Sequence, residues 1–406
     1  MSLSVPLVTV VIPTHGRPKM LHRALKSVFN QKGLGEEFEI EVNVVYDEES
    51  DILPATRTAF PQAHFLRNRK KGPSAPRNLG IVSANGRFIA FLDDDDVWLP
   101  HKLCFQLDIL RRNPDVDVVY GQMSVSDGRK HVEAWPAEAP SGDVFKAFIT
   151  RTDDFIHFNT LITRREVFER AGLFDESLPT MEHYDLALRM ARYYRFLFVP
   201  GAVAHGNFSK EGLWYQTLAS GENARVVTQI IEDALALMPQ GSDKDHVSRK
   251  ARLAVFKTVA MQKARFNDAR SLLNYVKESL ESWPWIVEEE TGQALLSRYS
   301  RTVGKKLVRE KRSAVGPTQS WNQLLHKTFE SSDLRGAPMW KVQAETWTGA
   351  ALAFRSRGQA AAAFRAAIHS VYCRPRQLVQ PSFLKGVVWP IVKSGPRMLS
   401  GGSSRV

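Results

Sequence analysis

A series of short apolar runs, each followed by a helix-like pattern, constrains this chain most. Leu7-Val8-Thr9-Val10-Val11-Ile12 is apolar and β-branched and is closed by Pro13, the pattern of a strand buried in a parallel sheet. Leu21, Ala24, Leu25, Val28 and Phe29 then recur as one helical face, stopped near Gly33 and Gly35. Ile40 to Tyr46 predicts the next strand, Arg77 to Ala84 a helix, and Phe88-Ile89-Ala90-Phe91-Leu92 a third apolar strand. Pro100 opens a helix with Leu103, Leu107 and Leu110 on one face, ended by Asn113-Pro114. Val116 to Tyr120 predicts another strand. This alternation implies an α/β domain with a doubly wound, mostly parallel sheet. Such sheets bind ligands beyond the carboxyl ends of their strands, where Pro13-Thr14-His15, Asp47 and Asp93–Asp96 all fall.

Beyond residue 211 the strand signals fade. Ala219 to Met238, His246 to Phe266 and Ser271 to Leu280 read as helices, and Ala350 to Val371 as a helix–turn–helix pair within 343–372, with Gly358 at the turn. No second copy recurs at a fixed period, so a repeat array is not supported. Two regions are therefore expected, an α/β domain over 1–210 and a mainly helical, basic region over 211–406. The net charge of +12 divides the same way. Residues 1–210 hold 26 Lys and Arg against 27 Asp and Glu, whereas residues 211–406 hold 29 against 16. From Arg335 onward the count is 11 against 1, interleaved with Trp340, Trp347, Phe354, Phe364, Tyr372, Phe383 and Trp389. Aromatic residues between cations suit a membrane interface or a nucleic acid; peripheral contact of 335–406 with an anionic inner membrane face is the expectation, and nucleic acid is not. A helical bundle with a solvated basic face is the plainer alternative. Cys104 and Cys373 stand far apart, so no disulfide framework is expected and the cytoplasm is the default compartment. The first residues carry no export signal, and no uncharged apolar run approaches the roughly 20 residues that span a bilayer.

The candidate chemistry centres on Asp93-Asp94-Asp95-Asp96, directly after an apolar strand. Four carboxylates gathered there repel one another and resist ionising. A hard divalent cation, Mg²⁺ or Mn²⁺, resolves that conflict, and it also bridges a diphosphate and stabilises its developing charge. A solvated loop capping the helix from Pro100 explains the same residues.

Neighbouring segments decide between the two. Val8 to Arg17 resembles the opening strand of family 2 glycosyltransferases, which have the GT-A fold. So do Gly72-Pro73-Ser74-Ala75-Pro76-Arg77-Asn78-Leu79-Gly80-Ile81, Ala84-Asn85-Gly86 and Phe91 to Pro100. Arg164 to Phe168 and Ala171 to Leu178 resemble the family's acceptor-side segment, which leads into Glu182-His183-Tyr184-Asp185. The resemblance covers roughly residues 5–210 and implies an inverting, metal-dependent transfer of a sugar from a nucleotide-sugar donor, with UDP- or dTDP-sugars favoured. A glycan or lipid-linked molecule is the implied acceptor. Pro13, Thr14 and Arg17 would border the nucleotide, Asp47 would read its pyrimidine, and Arg77 would approach the diphosphate or the acidic run. Asp93, with Asp94 beside it, would meet the ribose and Asp95 the metal, as the outer residues of a D-x-D motif, with His205 a candidate further ligand.

Two departures stand out. The family usually continues Asp47 with Asp-Gly-Ser, where Glu48-Glu49-Ser50 stands here. It usually has Glu-Asp where this chain has Glu182-His183, and that aspartate is the general base of an inverting displacement. A histidine suits the work, its unperturbed pKa of about 6.5 lying near operating pH. Glu182 is the rival, and a catalytically idle nucleotide-sugar-binding relative is the alternative reading of the whole. Asp185 and Arg189 read as a structural i,i+4 pair.

Overall fold

The computed structural model describes residues 5–47, 54–126, 131–152, 156–207 and 212–266, with single positions from Leu272 to Leu295. The departure at Glu48–Ser50, the helix–turn–helix pair, the basic tail from Arg335 and Cys373 lie outside the described residues.

The first compact unit, Met1–Ala254, is built on one nine-stranded sheet. Its strands are β1 (Leu7–Thr14), β2 (Glu39–Tyr46), β3 (Ala63–Arg67), β4 (Phe88–Phe91), β5 (Val97–Trp98), β6 (Val118–Ser126), β7 (His131–Trp135), β8 (Ile162–Arg164) and β9 (Phe196–Asn207). They lie in the order β3-β2-β1-β4-β8-β6-β9-β5, with β7 on β6. The expected doubly wound part is β3-β2-β1-β4, all parallel. Its connections are α1 (Pro18–Phe29), α2 (Pro54–Ala59) and α3 (Ser74–Val82). Beyond β4 the sheet is mixed: β8 runs antiparallel to both β4 and β6, β9 lies parallel to β6, and β5 and β7 are antiparallel edges. The helices of this half are α4 (Lys102–Arg112), α5 (Phe145–Ile149), α6 (Val167–Ala171) and α7 (Glu182–Ala191), with a 3₁₀ turn at Phe158–Thr160.

The apolar runs form the core because they have water on neither face. Val8, Val10 and Ile12 pack with Leu21, Ala24, Leu25 and Val28 of α1, and with Leu103, Leu107 and Leu110 of α4. Helix α3 lies close against β1: a Cβ on Gly80 would stand 2.3 Å from Val11 Cγ1. Asn43 on β2 donates to the Gly80 carbonyl at 3.1 Å. That close seat carries Arg77, one turn earlier, to the carboxyl ends of the strands. After the sheet come α8 (Leu213–Ser220), α9 (Glu222–Ala236) and α10 (Ser242–Phe266). The single helix expected from Ala219 to Met238 is divided at Gly221, whose φ of 87° favours glycine and ends α8. No helix among the described residues is long and apolar enough to cross a membrane.

Candidate active site

The register of the parallel strands assembles the site. Val11 pairs with Phe91, so three residues further on Thr14 comes opposite Asp94, and its hydroxyl donates to Asp94 Oδ2 at 2.6 Å. Thr14 also pairs with Tyr46, which brings His15 beside Asp47; His15 Nδ1 contacts Asp47 Oδ2. Arg17, the residue before α1, bonds Asp95 Oδ2 at 2.7 Å and Asp94 Oδ2 at 3.2 Å through its guanidinium, and also pairs with Asp94 Oδ1. The structure thus brings Pro13, Thr14, Arg17, Asp47 and Asp93–Asp96 together at the carboxyl ends of β1, β2 and β4.

Each aspartate has a distinct environment. Asp93 meets Arg77 Nη2 at 2.6 Å and Asn159 Nδ2 at 3.2 Å. Burial works to raise its pKa, but Arg77 and Asn159 hold it below the usual carboxylate range. The Asp94 side chain is 0% exposed. Burial pushes its pKa up to about 6, against the pull of Thr14 and Arg17, and its Oδ1 is buried without a well-formed hydrogen bond. Asp95 is 34% exposed and faces outward. Asp96 accepts from Asn159 Nδ2.

Arg77 joins the two expected halves of the site. Beside Asp93 it holds Glu182 Oε1 at 3.2 Å, and its guanidinium lies 5.8 Å from the Phe174 ring centroid. Burial would lower the guanidinium pKa, yet Asp93 and Glu182 raise it. The segment around Phe174 is stitched to α3 by Asn78, which donates to the Phe174 carbonyl at 2.9 Å and accepts the Phe174 N–H at 2.9 Å. Ser74 Oγ donates to the Asp175 carbonyl at 2.8 Å. Two segments about a hundred residues apart therefore form one wall.

Helix α7 starts at Glu182, behind Met181 with a left-handed φ of 60°. Glu182 is 9% exposed and committed to Arg77, whereas His183 is half-buried, its ring 6.4 Å from that of Phe158. Asp185 pairs with Arg189 Nη2 at 2.7 Å, turned to α7's own surface. His205 pairs with Val97 across β5 and β9, and its Nδ1 shares a 2.9 Å hydrogen bond with Ser124 Oγ. Among the described residues no group of three His, Cys, Asp or Glu is placed to hold a metal ion in common. Sequence reasoning missed Asn159, which touches both ends of the acidic run, and His157, whose charge acts on Asp93. Neither stands in a periodic or clustered pattern that marks it.

Residues 9–172 match the model of Glycosyl transferase family 2. An uncharacterized glycosyltransferase of Rickettsia conorii is 25% identical over 212 residues, covering 50% of this chain and 34% of that protein. The succinoglycan biosynthesis protein ExoO of Rhizobium meliloti is 29% identical over 292 residues, covering 68% of this chain and 78% of its own. The chain spans about a third of the length of the first Rickettsia relatives it matches. Among solved structures, S. aureus TarS 1-349 in complex with UDP-GlcNAc superposes with a TM-score of 0.52 at 16% identity, covering 87% of this chain and 92% of that one. That likeness is one of fold, and the fold is GT-A.

Proposed function

We propose that this chain, whose residues 9–172 match Glycosyl transferase family 2, is an inverting glycosyltransferase acting on a nucleotide-diphosphate-sugar. The sugar passes to a hydroxyl of a glycan or lipid-linked acceptor in cell-surface polysaccharide synthesis. One observation carries the reading: Thr14, Arg17, Arg77 and four aspartates converge at the carboxyl ends of β1 and β4, where a sheet of this kind binds its ligand. Succinoglycan biosynthesis, the role of ExoO, and the UDP-GlcNAc bound to the TarS structure make UDP-sugars and polysaccharide acceptors the first to test.

The residues suit a single in-line displacement. Thr14, Arg17 and Asp93 border the nucleotide, and Arg77, a fixed multi-donor cation, faces the diphosphate. Asp47, held against His15, accepts the pyrimidine N–H when the imidazole turns aside. Glu182 is occupied in orienting Arg77, so we assign the general base to His183, which takes the proton of the attacking acceptor hydroxyl as the anomeric carbon inverts.

A divalent cation fits this donor set in kind: the ligands on offer are carboxylate oxygens, and those of Asp95, 34% exposed, face outward. Mg²⁺ commonly takes one or two carboxylates and fills its remaining positions with phosphate and water. Asp95 would hold it, with His205 the further candidate, and when bound it neutralises the departing diphosphate.

Thermal shift against a panel of nucleotide-sugars with and without Mn²⁺ tests donor binding, since a ligand of the native state raises the midpoint by mass action. A midpoint unmoved by every donor at high concentration sinks the proposal. Turnover with Mn²⁺ that disappears in Asp95→Ala separates an enzyme from the alternative that His183 suggests, a relative that binds the donor without transferring it.

A further inference from the structure

Asn159 stands 63 residues beyond Asp96 in sequence, yet its side chain closes on both ends of the acidic run. It is 2% exposed. Its Oδ1 accepts the Asp93 N–H at 3.0 Å, and its Nδ2 donates to Asp93 Oδ2 at 3.2 Å and to Asp96 Oδ2. The two aspartates between, Asp94 and Asp95, face Arg17.

The backbone beneath Asn159 is fixed with equal care. Three successive carbonyls each accept from a side chain in the segment 98–106: Asn159 O from Trp98 Nε1 at 2.9 Å, Thr160 O from Gln106 Nε2 at 2.7 Å, and Leu161 O from Lys102 Nζ at 3.3 Å. Lys102 Nζ bonds Gln106 Oε1 at 2.7 Å and lies 4.5 Å from the Trp98 ring centroid. Segment 98–106 begins two residues after Asp96. The chain therefore forms a closed circuit, in which the residues following the acidic run seat the 3₁₀ turn and the turn's Asn159 returns to hold the run.

We infer that Asn159 is the positioning residue of the acidic run, fixing Asp93 and Asp96 so that their neighbours present carboxylates to the donor diphosphate and its cation. The inference rests on the donor-site reading above. Asparagine suits this place because one carboxamide offers both an acceptor for the Asp93 N–H and two N–H donors for carboxylates. It carries no charge of its own, so it orders the run without neutralising it. Aspartate would lose both donors and add a fifth negative charge, while lysine or arginine would lose the acceptor.

Two readouts on the full-length protein test this. In Asn159→Ala, backbone amide exchange across residues 92–97 without ligand should rise about tenfold or more, while Leu7–Thr14 keeps wild-type protection. The Kd for UDP with Mn²⁺ should weaken about 10–100-fold, the usual cost of removing an outer partner of a ligand-bearing carboxylate. Asn159→Asp, which keeps the shape and removes the donors, should weaken UDP binding at least as much. If both fail to fold, Trp98→Phe removes the indole donor to the Asn159 carbonyl, and a smaller change of the same sign is expected. Unchanged exchange across 92–97 overturns the inference, as does a folded variant with faster exchange and wild-type UDP affinity, since a merely structural residue behaves that way. Failure of the wild type to bind UDP overturns the donor reading instead, and the exchange measurement then decides the role of Asn159 alone.

Discussion

The same strands carry buried carboxylates at both ends, treated in opposite ways. At the amino ends of β1, β2 and β4, Glu41 accepts from Thr9 Oγ1 at 2.6 Å, the Asn85 N–H at 2.9 Å and the Asn85 side-chain amide at 2.6 Å, with the exposed His64 Nδ1 3.8 Å from its Oε1. At the carboxyl ends, Asp93–Asp96 are crowded together and countered by Arg17 and Arg77. The first arrangement spends its acceptors on holding the loop before β4 to the sheet. The second keeps charge concentrated at the proposed donor site. Burial alone does not distinguish a structural acid from a functional one; the identity of its partners does.

His183→Ala breaks the comparison hardest. On the proposed assignment of the general base, its loss should cost about 10²–10⁴ in kcat, while the midpoint of unfolding and the KM for the donor should change little. Glu182→Gln should behave differently, because it releases Arg77 rather than removing a base, and its effect should fall on donor KM as well as on kcat. Equal kcat losses with unchanged KM in the two variants would reassign the base to Glu182.

At the amino end, Glu41→Ala should cost stability and leave catalysis alone. It strands the Thr9 hydroxyl in a buried place, while the exposed Asn85 turns to water, for a loss of about 1–2 kcal/mol in urea denaturation. Folded protein at equal concentration should keep wild-type kcat/KM.

The pH dependence should also have opposite signs at the two ends. Burial works against the Glu41 carboxylate, but the Asn85 and Thr9 hydrogen bonds hold its pKa below the ordinary 4.5. The stability it contributes is complete above that value and is lost as pH falls through the lower folded pKa. Asp94 is raised from 3.8 to about 6 by burial, so the folded state holds its proton more tightly than the unfolded chain does. Stability from this group therefore falls as pH rises from about 4 to 6, by at most about 3 kcal/mol at ~1.36 kcal/mol per unit. Asp94→Asn keeps an acceptor for Thr14 and removes that penalty, so it should gain about 1–3 kcal/mol above pH 6 and nothing below pH 4. A gain that is flat with pH would show that Asp94 is ionised throughout.

Much of the parallel half was legible because its strands are continuous apolar runs with one environment on both faces. Val8–Ile12 and Phe88–Phe91 are buried along their lengths. The antiparallel insertion was not, because β8 is only Ile162-Thr163-Arg164 and its buried Arg164 donates to the Val116 carbonyl at 3.0 Å, leaving no alternation to read. Among candidate site residues the acidic run stood out by its own composition. The partners that define its chemistry did not: Arg77 meets Glu182 across 105 residues and Asn159 meets Asp93 across 66. Hydrogen bonds of that span leave no local period. The resemblance brought Arg77 and Glu182 forward as separate residues, and their joining is visible only in three dimensions.

The smallest effect belongs to Asp185, one helical turn beyond Glu182 and the nearest acid to it on α7. Its carboxylate pairs with Arg189, which also donates to the Leu173 carbonyl at 2.7 Å. The pair faces the surface, with side chains 20% and 32% exposed, and ion pairs of this i,i+4 kind contribute about 0.3–0.5 kcal/mol. Asp185→Ala should thus lower stability by about 0.5 kcal/mol and leave Arg189 seated on the Leu173 carbonyl. Since α7 holds Glu182 and His183 by its first turn and its buried apolar face, kcat should stay within about twofold, a barrier change of under ~0.5 kcal/mol. A tenfold loss of kcat with intact stability would place Asp185 among the reacting groups and take the role of base away from His183, two residues earlier on the helix.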